Sequence, residues 1–234
     1  VAITDHEEDI SYLLTLLTPE EIKRSQRFHQ LIDRQRFVIG RGVLRLLLGS
    51  YLSIPPLQLT ISQEKKGKLF ATEALERNIH FNLSHSGNWI LIAIDNKEVG
   101  VDVEKVFPDF YCEEMMHYNF SPAERVYIQQ SHTPVKEFFQ FWTRKEALLK
   151  ATGVGLINNL PGVSCLIGTN YAEPALIASD RNWHIATFPV DEDHMGSLAC
   201  QPGVTYTGYH FNLSSFLSPR FRIKHKVATA LLLE

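Results

Sequence analysis

Cysteine is scarce in this 234-residue chain: Cys112, Cys165 and Cys200 are its three, far apart and odd in number. No CxxC pair exists, so neither a thiolate zinc site nor a disulfide framework is encoded. Buried free thiols in a reducing compartment are expected, with the cytoplasm as the location. Long apolar runs are missing too; none reaches the roughly 18 residues of a membrane span, so no membrane partner is expected. The opening "VAITDHEEDI" lacks the basic and apolar regions of a signal peptide. The sequons at 82–84 and 212–214 therefore carry little weight. Positive charge is not in excess, with 23 Lys and Arg against 26 Asp and Glu and a net charge of −3. That balance argues against nucleic acid as a partner. It leaves local clusters, such as Lys65, Lys66 and Lys68, free to hold a small anion. Two catalytic signatures are also lacking. Without GxxxxGK[ST] the chain is not a P-loop enzyme, and without a GxSxG elbow a hydrolase is unsupported. Ser84 and His85 are too close in sequence to be read as a nucleophile–base pair.

What is present is an ordinary globular composition, 44% hydrophobic and 21% charged, long enough for one large domain or two small ones. The chain also repeats its grammar. "TPEE" at 18–21 is a helix start with Thr18 as N-cap, Pro19 at N1 and Glu21 closing a capping box; "SPAE" at 121–124 is the same. A second helical stretch follows each, "FVIGRGVLRLLLGSYL" (37–52) and "FWTRKEALLKATGVGL" (141–156). These match at Phe37/Phe141, Arg41/Lys145, Leu44/Leu148, Gly49/Gly153 and Leu52/Leu156. Strand-like sequence comes next in both, "LQLTIS", "HFNLS" and "WILIAI" in the first and "WHIATF" and "GSLACQ" in the second. The expected fold is α+β, a pseudo-dimer of two similar halves with the site in the crevice between them. The first half would span 1–106, a linker 107–120 and the second half 121–234.

Three features carry chemistry. "VGVDVEKV" (99–106) reads as a half-buried strand whose alternation puts Asp102 and Glu104 on one face, roughly 7 Å apart. Two like charges so placed require a positive partner. On the 141–156 helix, Trp142, Glu146 and Lys150 stack at spacing four. Taken alone, Glu146 and Lys150 read as a surface ion pair. Together with the strand's two acids, Glu146 is expected to make a three-carboxylate, oxygen-lined site suited to Mg²⁺, which keeps room for water and phosphates. The third is "FNLSHSGNW" (81–89), read as a strand ending in a donor-rich turn, Ser84 to Gly87, of a kind that suits phosphate. Lys23, Arg24 and Arg27 lie on the first capped helix and Arg36, Arg41 and Arg45 on the next, mostly as solvated faces or salt bridges, with a few able to reach an anion in the crevice.

The set "FNLSHSGNW … GVDVEKV … FWTRKEALLKATGVGL" resembles the Sfp-type 4′-phosphopantetheinyl transferases, and the similarity covers nearly the whole chain. The resemblance implies Mg²⁺-dependent transfer of phosphopantetheine from coenzyme A to a serine of an apo acyl or peptidyl carrier protein, with 3′,5′-ADP leaving. It implies Asp102, Glu104 and Glu146 as metal ligands, with Glu146 also helping to deprotonate the serine, directly or through water. Lys150 would neutralise the pyrophosphate. His85 and Arg24 would hold the 3′-phosphate, and Lys68 and Ser84 match further coenzyme A positions. A chain with both halves implies a monomer. Two positions depart from the pattern: Glu21 stands at a family lysine, and Leu69 follows Gly67-Lys68 where the family has proline. Glu124 falls on a family acidic position but doubles as the capping-box residue. The alternatives are a Mg²⁺ enzyme acting on another nucleotide diphosphate, or a non-catalytic carrier-protein binder.

Overall fold

The structure, a computed structural model, describes residues 7–110, 113–166, 171–172, 174–211 and 229–231. Cys112 and the sequon at 212–214 lie outside them; Cys165 and Cys200 are buried free thiols as expected. Burial pushes the Cys165 thiol up to about 12, which keeps it an inert core atom.

The elements of the first half are α1 (Glu7–Leu14), α2 (Pro19–Ser25), α3 (Leu31–Leu52), β1 (Ile61–Gln63), β2 (Leu69–Ala71), α4 (Thr72–Leu75), β3 (His80–Ser86), β4 (Trp89–Asp95) and β5 (Gly100–Lys105). The second half runs through α5 (Glu113–Asn119), α6 (Pro122–Gln130), α7 (Pro134–Thr152), β6 (Val163–Ser164), β7 (Tyr171–Ala172), α8 (Pro174–Ile177), β8 (His184–Pro189), β9 (His194–Cys200), β10 (Thr207–Gly208) and β11 (Thr229–Leu231). Each half has a short capped helix, a long helix, a two-stranded ribbon, a single helical turn and an antiparallel hairpin. The duplication read from the sequence is therefore real at the level of architecture.

Both capping boxes form. Thr18 Oγ1 accepts from Glu21 N at 3.3 Å while Glu21 Oε2 accepts from Thr18 N at 2.9 Å. Ser121 and Glu124 repeat this at 3.3 and 2.8 Å. Each capping glutamate also turns inward onto a base of the following long helix: Glu124 meets Lys145 Nζ at 2.8 Å, and Glu21 meets Arg41 Nε at 3.3 Å and Arg45 Nε at 2.9 Å. Glu124 and Lys145 are completely buried, and the ammonium also donates to Leu160 O and Val163 O. The duplicated acid is a piece of the scaffold.

The two hairpins exchange their third strands. β5 pairs antiparallel with β9, in the sheet order β5-β9-β8. β11 returns to pair antiparallel with β4, in the order β10-β11-β4-β3. So β5, inside the segment expected as the first half, completes the second half's sheet. Both faces of β4 are covered: Ile90, Ile92 and Ile94 pack with Leu44, Leu47 and Leu48 of α3, while Trp89, Leu91 and Ala93 meet Val101, Val103 and Leu198 between the sheets. Burial on both sides also explains why β5 is no half-exposed strand, with Asp102 only 2% exposed.

Three local expectations need correction. Gly49 does not match Gly153: it is inside α3, which ends one turn later at Ser53 in the left-handed region, whereas Gly153 (φ 70°) itself caps α7. "LQLTIS" supplies only the short β1, preceded by a single 3-10 turn at Pro56–Gln58. The segment 107–120 contains the helix α5, whose Met116 is 1% exposed and packs with Phe120, Ile128 and Phe138.

Candidate active site

The glycine of "VGVDVEKV" decides the site's geometry. A Cβ on Gly100 would collide with Ala147 O and Ala151 N of α7, so glycine lets that helix lie directly on β5. The close approach carries Glu146 and Lys150 over Asp102. Lys150 Nζ stands 2.6 Å from Asp102 Oδ1 and 2.9 Å from Ser84 Oγ, and Ser84 Oγ donates to the same carboxylate oxygen at 2.8 Å. The positive partner that the two acids require is, in this structure, the Lys150 ammonium.

"SHS" is strand here, not turn: β3 runs through Ser86. Alternation then sends Asn82, Ser84 and Ser86 towards β5 and His85 the other way. Asn82 Oδ1 accepts from Val101 N at 2.9 Å, and Ser86 Oγ donates to Glu104 Oε2 at 2.8 Å and accepts from Lys105 N at 3.0 Å. These side chains join the two sheets at the seam of the halves while fixing both acids. Ser84 Oγ thus lies between Asp102 and Lys150 on the cavity wall.

The acids open on a cavity of about 440 Å³ lined by Leu83, Ser84, Asp102, Glu104, Trp142 and Glu146, among others. Among the described residues, Asp102 Oδ2 and Glu146 Oε1 are buried there without a hydrogen-bond partner. Burial raises the Glu146 pKa, as do the Asp102 and Glu104 charges, against Lys150. Burial likewise raises Glu104, with Asp102 adding to it and the Ser86 hydroxyl and Lys150 opposing. Among the described residues, no three acids, histidines or cysteines are gathered into a ready-made metal cage.

Lys150, Glu146, His85, Leu83 and Leu156 also line a larger crevice of about 530 Å³ between α3, the β1–β2 ribbon and the end of α7. Arg24, Arg36, Arg41, Lys66, Lys68 and Lys150 face it against two acids, Asp33 and Glu146, which makes the crevice cationic. Arg36 is partly spent, on Asp33 at 2.7 Å and on Gly87 O through Nε and Nη2. Lys68 Nζ donates to Ala151 O at 2.6 Å, so it ties the ribbon to the C-terminal turn of α7 as well as lining the crevice. Burial lowers the His85 pKa, and Arg36 and Lys150 lower it further.

Arg41 is a residue that sequence reasoning grouped with five other bases and did not single out. Its side chain is 8% exposed, and Nη1 is buried at the crevice wall without a hydrogen-bond partner among the described residues. In the second half, Lys145 is wholly used by the scaffold. In the first, Arg45 takes over that duty, binding both Glu21 oxygens, Pro56 O and Leu59 O. The signal was present as two bases four residues apart behind a single capping acid.

Residues 4–97 match the N-terminal region of 4′-phosphopantetheinyl transferases, and residues 98–199 match the 4′-phosphopantetheinyl transferase superfamily. The chain is 32% identical over 203 residues to the 4′-phosphopantetheinyl transferase HetI of a Nostoc species, covering 85% of this chain and 84% of that one. The chain belongs to the Sfp-type 4′-phosphopantetheinyl transferases. It is an enzyme, a transferase, of the α+β fold with two similar halves. To the 4′-phosphopantetheinyl transferase Sfp of Bacillus subtilis the transferase is 26% identical over 200 residues, with 84% and 88% of the two chains covered. A solved ACPS–CoA complex from Chronobacterium ammoniagenes covers 43% of the transferase and 93% of its own chain, at 18% identity and a TM-score of 0.37. The two matched regions meet between residues 97 and 98, so β5 falls in the second.

Proposed function

We propose that the transferase moves the 4′-phosphopantetheine of coenzyme A onto a serine of an apo acyl or peptidyl carrier protein, with Mg²⁺, and releases 3′,5′-ADP. What carries this reading is the continuity of the acid-lined cavity with the cationic crevice, both bordered by Glu146 and Lys150. A nucleotide with a terminal monophosphate fits the crevice, and its diphosphate then lies against Lys150. Arg24, Arg41 and His85 would hold the 3′-phosphate, and Lys68 would border the nucleotide.

The acids fit a divalent cation. Two buried carboxylate oxygens lack partners among the described residues, and burial first, then the neighbouring Asp102 charge, raises the pKa values of Glu104 and Glu146. An open set of oxygens suits Mg²⁺, which keeps water and substrate phosphate in its shell. Asp102, Glu104 and Glu146 would hold it, and when bound it would neutralise the diphosphate and make phosphorus more electrophilic. The chain's own groups do the rest. Lys150 Nζ neutralises charge growing on the leaving phosphate. Glu146 takes the serine proton, directly or through water, a task for which a raised pKa suits it. Phosphoryl transfer asks chiefly for such positioning and neutralisation. One chain supplies both halves, so the working form is a monomer.

Incubating the enzyme, an apo carrier, coenzyme A and Mg²⁺ and weighing the carrier tests the reading; a carrier that gains no phosphopantetheine overturns it. Arg24 and His85 are tested by dephospho-coenzyme A. It should bind the enzyme more weakly than coenzyme A by about 1.5–3 kcal/mol. In the Arg24→Ala, His85→Ala double variant, titration should find that preference largely gone. Its survival would place the 3′-phosphate elsewhere.

The carrier would dock where its serine reaches Glu146, over the segment that follows β5. Phe107 is 53% and Tyr118 72% exposed there, whereas Met116 is core. Tyr118→Asp is expected to raise KM for the apo carrier several-fold with the melting temperature unchanged. An unaltered KM would move the docking surface. Met116→Asp is expected to unfold α5 from its packing.

A further inference from the structure

Phe37 stands on the crevice side of α3, half-buried, and two guanidinium groups lie against its ring. Arg24 Cζ is 5.4 Å and Arg41 Cζ 5.8 Å from the ring centroid, both within cation–π range. Phe28 packs on the same ring, centroids 5.6 Å apart and planes tilted 39°, which restrains its plane.

The two bases need restraint of this kind. They are like charges on neighbouring helices and repel each other. Glu21 is already shared between Arg45 and Arg41, so it has little left for Arg24. Among the described residues, Arg24 is otherwise held by one long hydrogen bond, 3.4 Å to Gln63 Oε1. A carboxylate in place of the ring would hold both bases more firmly. It would also neutralise their charge and occupy their N–H groups. An aromatic face attracts the cations while taking none of their donors, so the N–H groups not already on Glu21 and Gln63 stay available for an incoming anion.

We propose that Phe37 is a positioning residue, the platform that presents Arg24 and Arg41 as a paired fork for a phosphate monoester, and so a determinant of selectivity for a nucleotide bearing one. A monoester carries close to two negative charges at neutral pH, matched by two guanidiniums that can each bind it through two N–H groups. This rests on the coenzyme A reading above, in which the monoester is the 3′-phosphate.

The test compares coenzyme A with dephospho-coenzyme A by isothermal titration in the wild type, Phe37→Leu and Phe37→Tyr. Wild type should prefer coenzyme A by about tenfold or more. Phe37→Leu keeps the apolar bulk and loses the ring, and its preference should shrink to within about threefold while affinity for dephospho-coenzyme A holds. Phe37→Tyr keeps the ring and should restore the preference. Where leucine does not fold, Phe37→Met fills the same space without a ring and takes its place. A leucine or methionine variant that keeps the wild-type preference overturns the platform alone. Equal weakening of both nucleotides also overturns it, since the ring would then be a contact for the shared part. A wild type without any preference overturns the coenzyme A reading itself, and the platform with it.

Discussion

Asp102→Asn is expected to lower the rate of transfer by about a hundred- to a thousandfold or more, at saturating coenzyme A and Mg²⁺. The substitution keeps the shape of the side chain but removes the charge that Lys150 and Ser84 converge on at Oδ1 and that stands unpartnered at Oδ2. Stability should be nearly untouched. The Lys150 side chain is 30% exposed and can return to water, and the loss of one of three neighbouring acids relieves repulsion with Glu104 and Glu146. The carrier's mass gain over time gives the rate, and a thermal melt in metal-free buffer should show no loss. A variant with near wild-type turnover would mean that Asp102 only anchors Lys150. Collapse of the fold would mean that the ion pair is structural.

Lys145→Met is expected to cost about 3–5 kcal/mol of folding stability, the largest loss from any single polar change considered. It leaves the Glu124 carboxylate with no exposure and without its ion-pair partner, held by the backbone N–H groups of Ser121 and Cys165 and by the more distant charge of Arg144. Urea unfolding measures the loss. The Glu124→Gln, Lys145→Met double variant should regain part of it, because no buried charge then stands alone. The pair also decides the role of an acid that sits on a family motif. If Glu124→Gln folds with wild-type stability and loses activity, Glu124 belongs to the chemistry and not to the scaffold.

How much could be read beforehand followed from periodicity. Spacing of two placed Asp102 and Glu104 on one face, and spacing of four placed Trp142, Glu146 and Lys150 on another; the structure makes all five line one cavity. Pattern said nothing of depth, since a strand with alternating valines looks half-buried whether or not a helix and a second hairpin cover its polar side. It took Gly100, and what a Cβ there would strike, to show that the polar side is covered. Ser84 to Gly87 read as a turn because its composition is that of turns, yet tertiary pairing with β4 extends the strand through Ser86. Helix α5 was hidden for a different reason: Met115, Met116 and Tyr118 follow one another with one core, one intermediate and one exposed position, which blurs the apolar stripe. Arg41 escaped because sequence alone gives two equivalent bases behind Glu21, and only packing shows which one the scaffold uses.

The exchanged strands have a consequence for synthesis on the ribosome. One neighbour of β4 is β11, where Thr229 pairs with Ile94, so the first hairpin leaves the exit tunnel with that edge open. It stays open while nearly all of the second half is translated. β4 is buried along its whole length in the finished enzyme, and such an apolar strand with a free edge is what recruits unwanted partners. β5 meets the reverse situation, emerging early and waiting for β9. Neither half can therefore mature vectorially, as an independent domain would. A stalled or truncated product that lacks β11 leaves the β4 edge unpaired and is expected to aggregate.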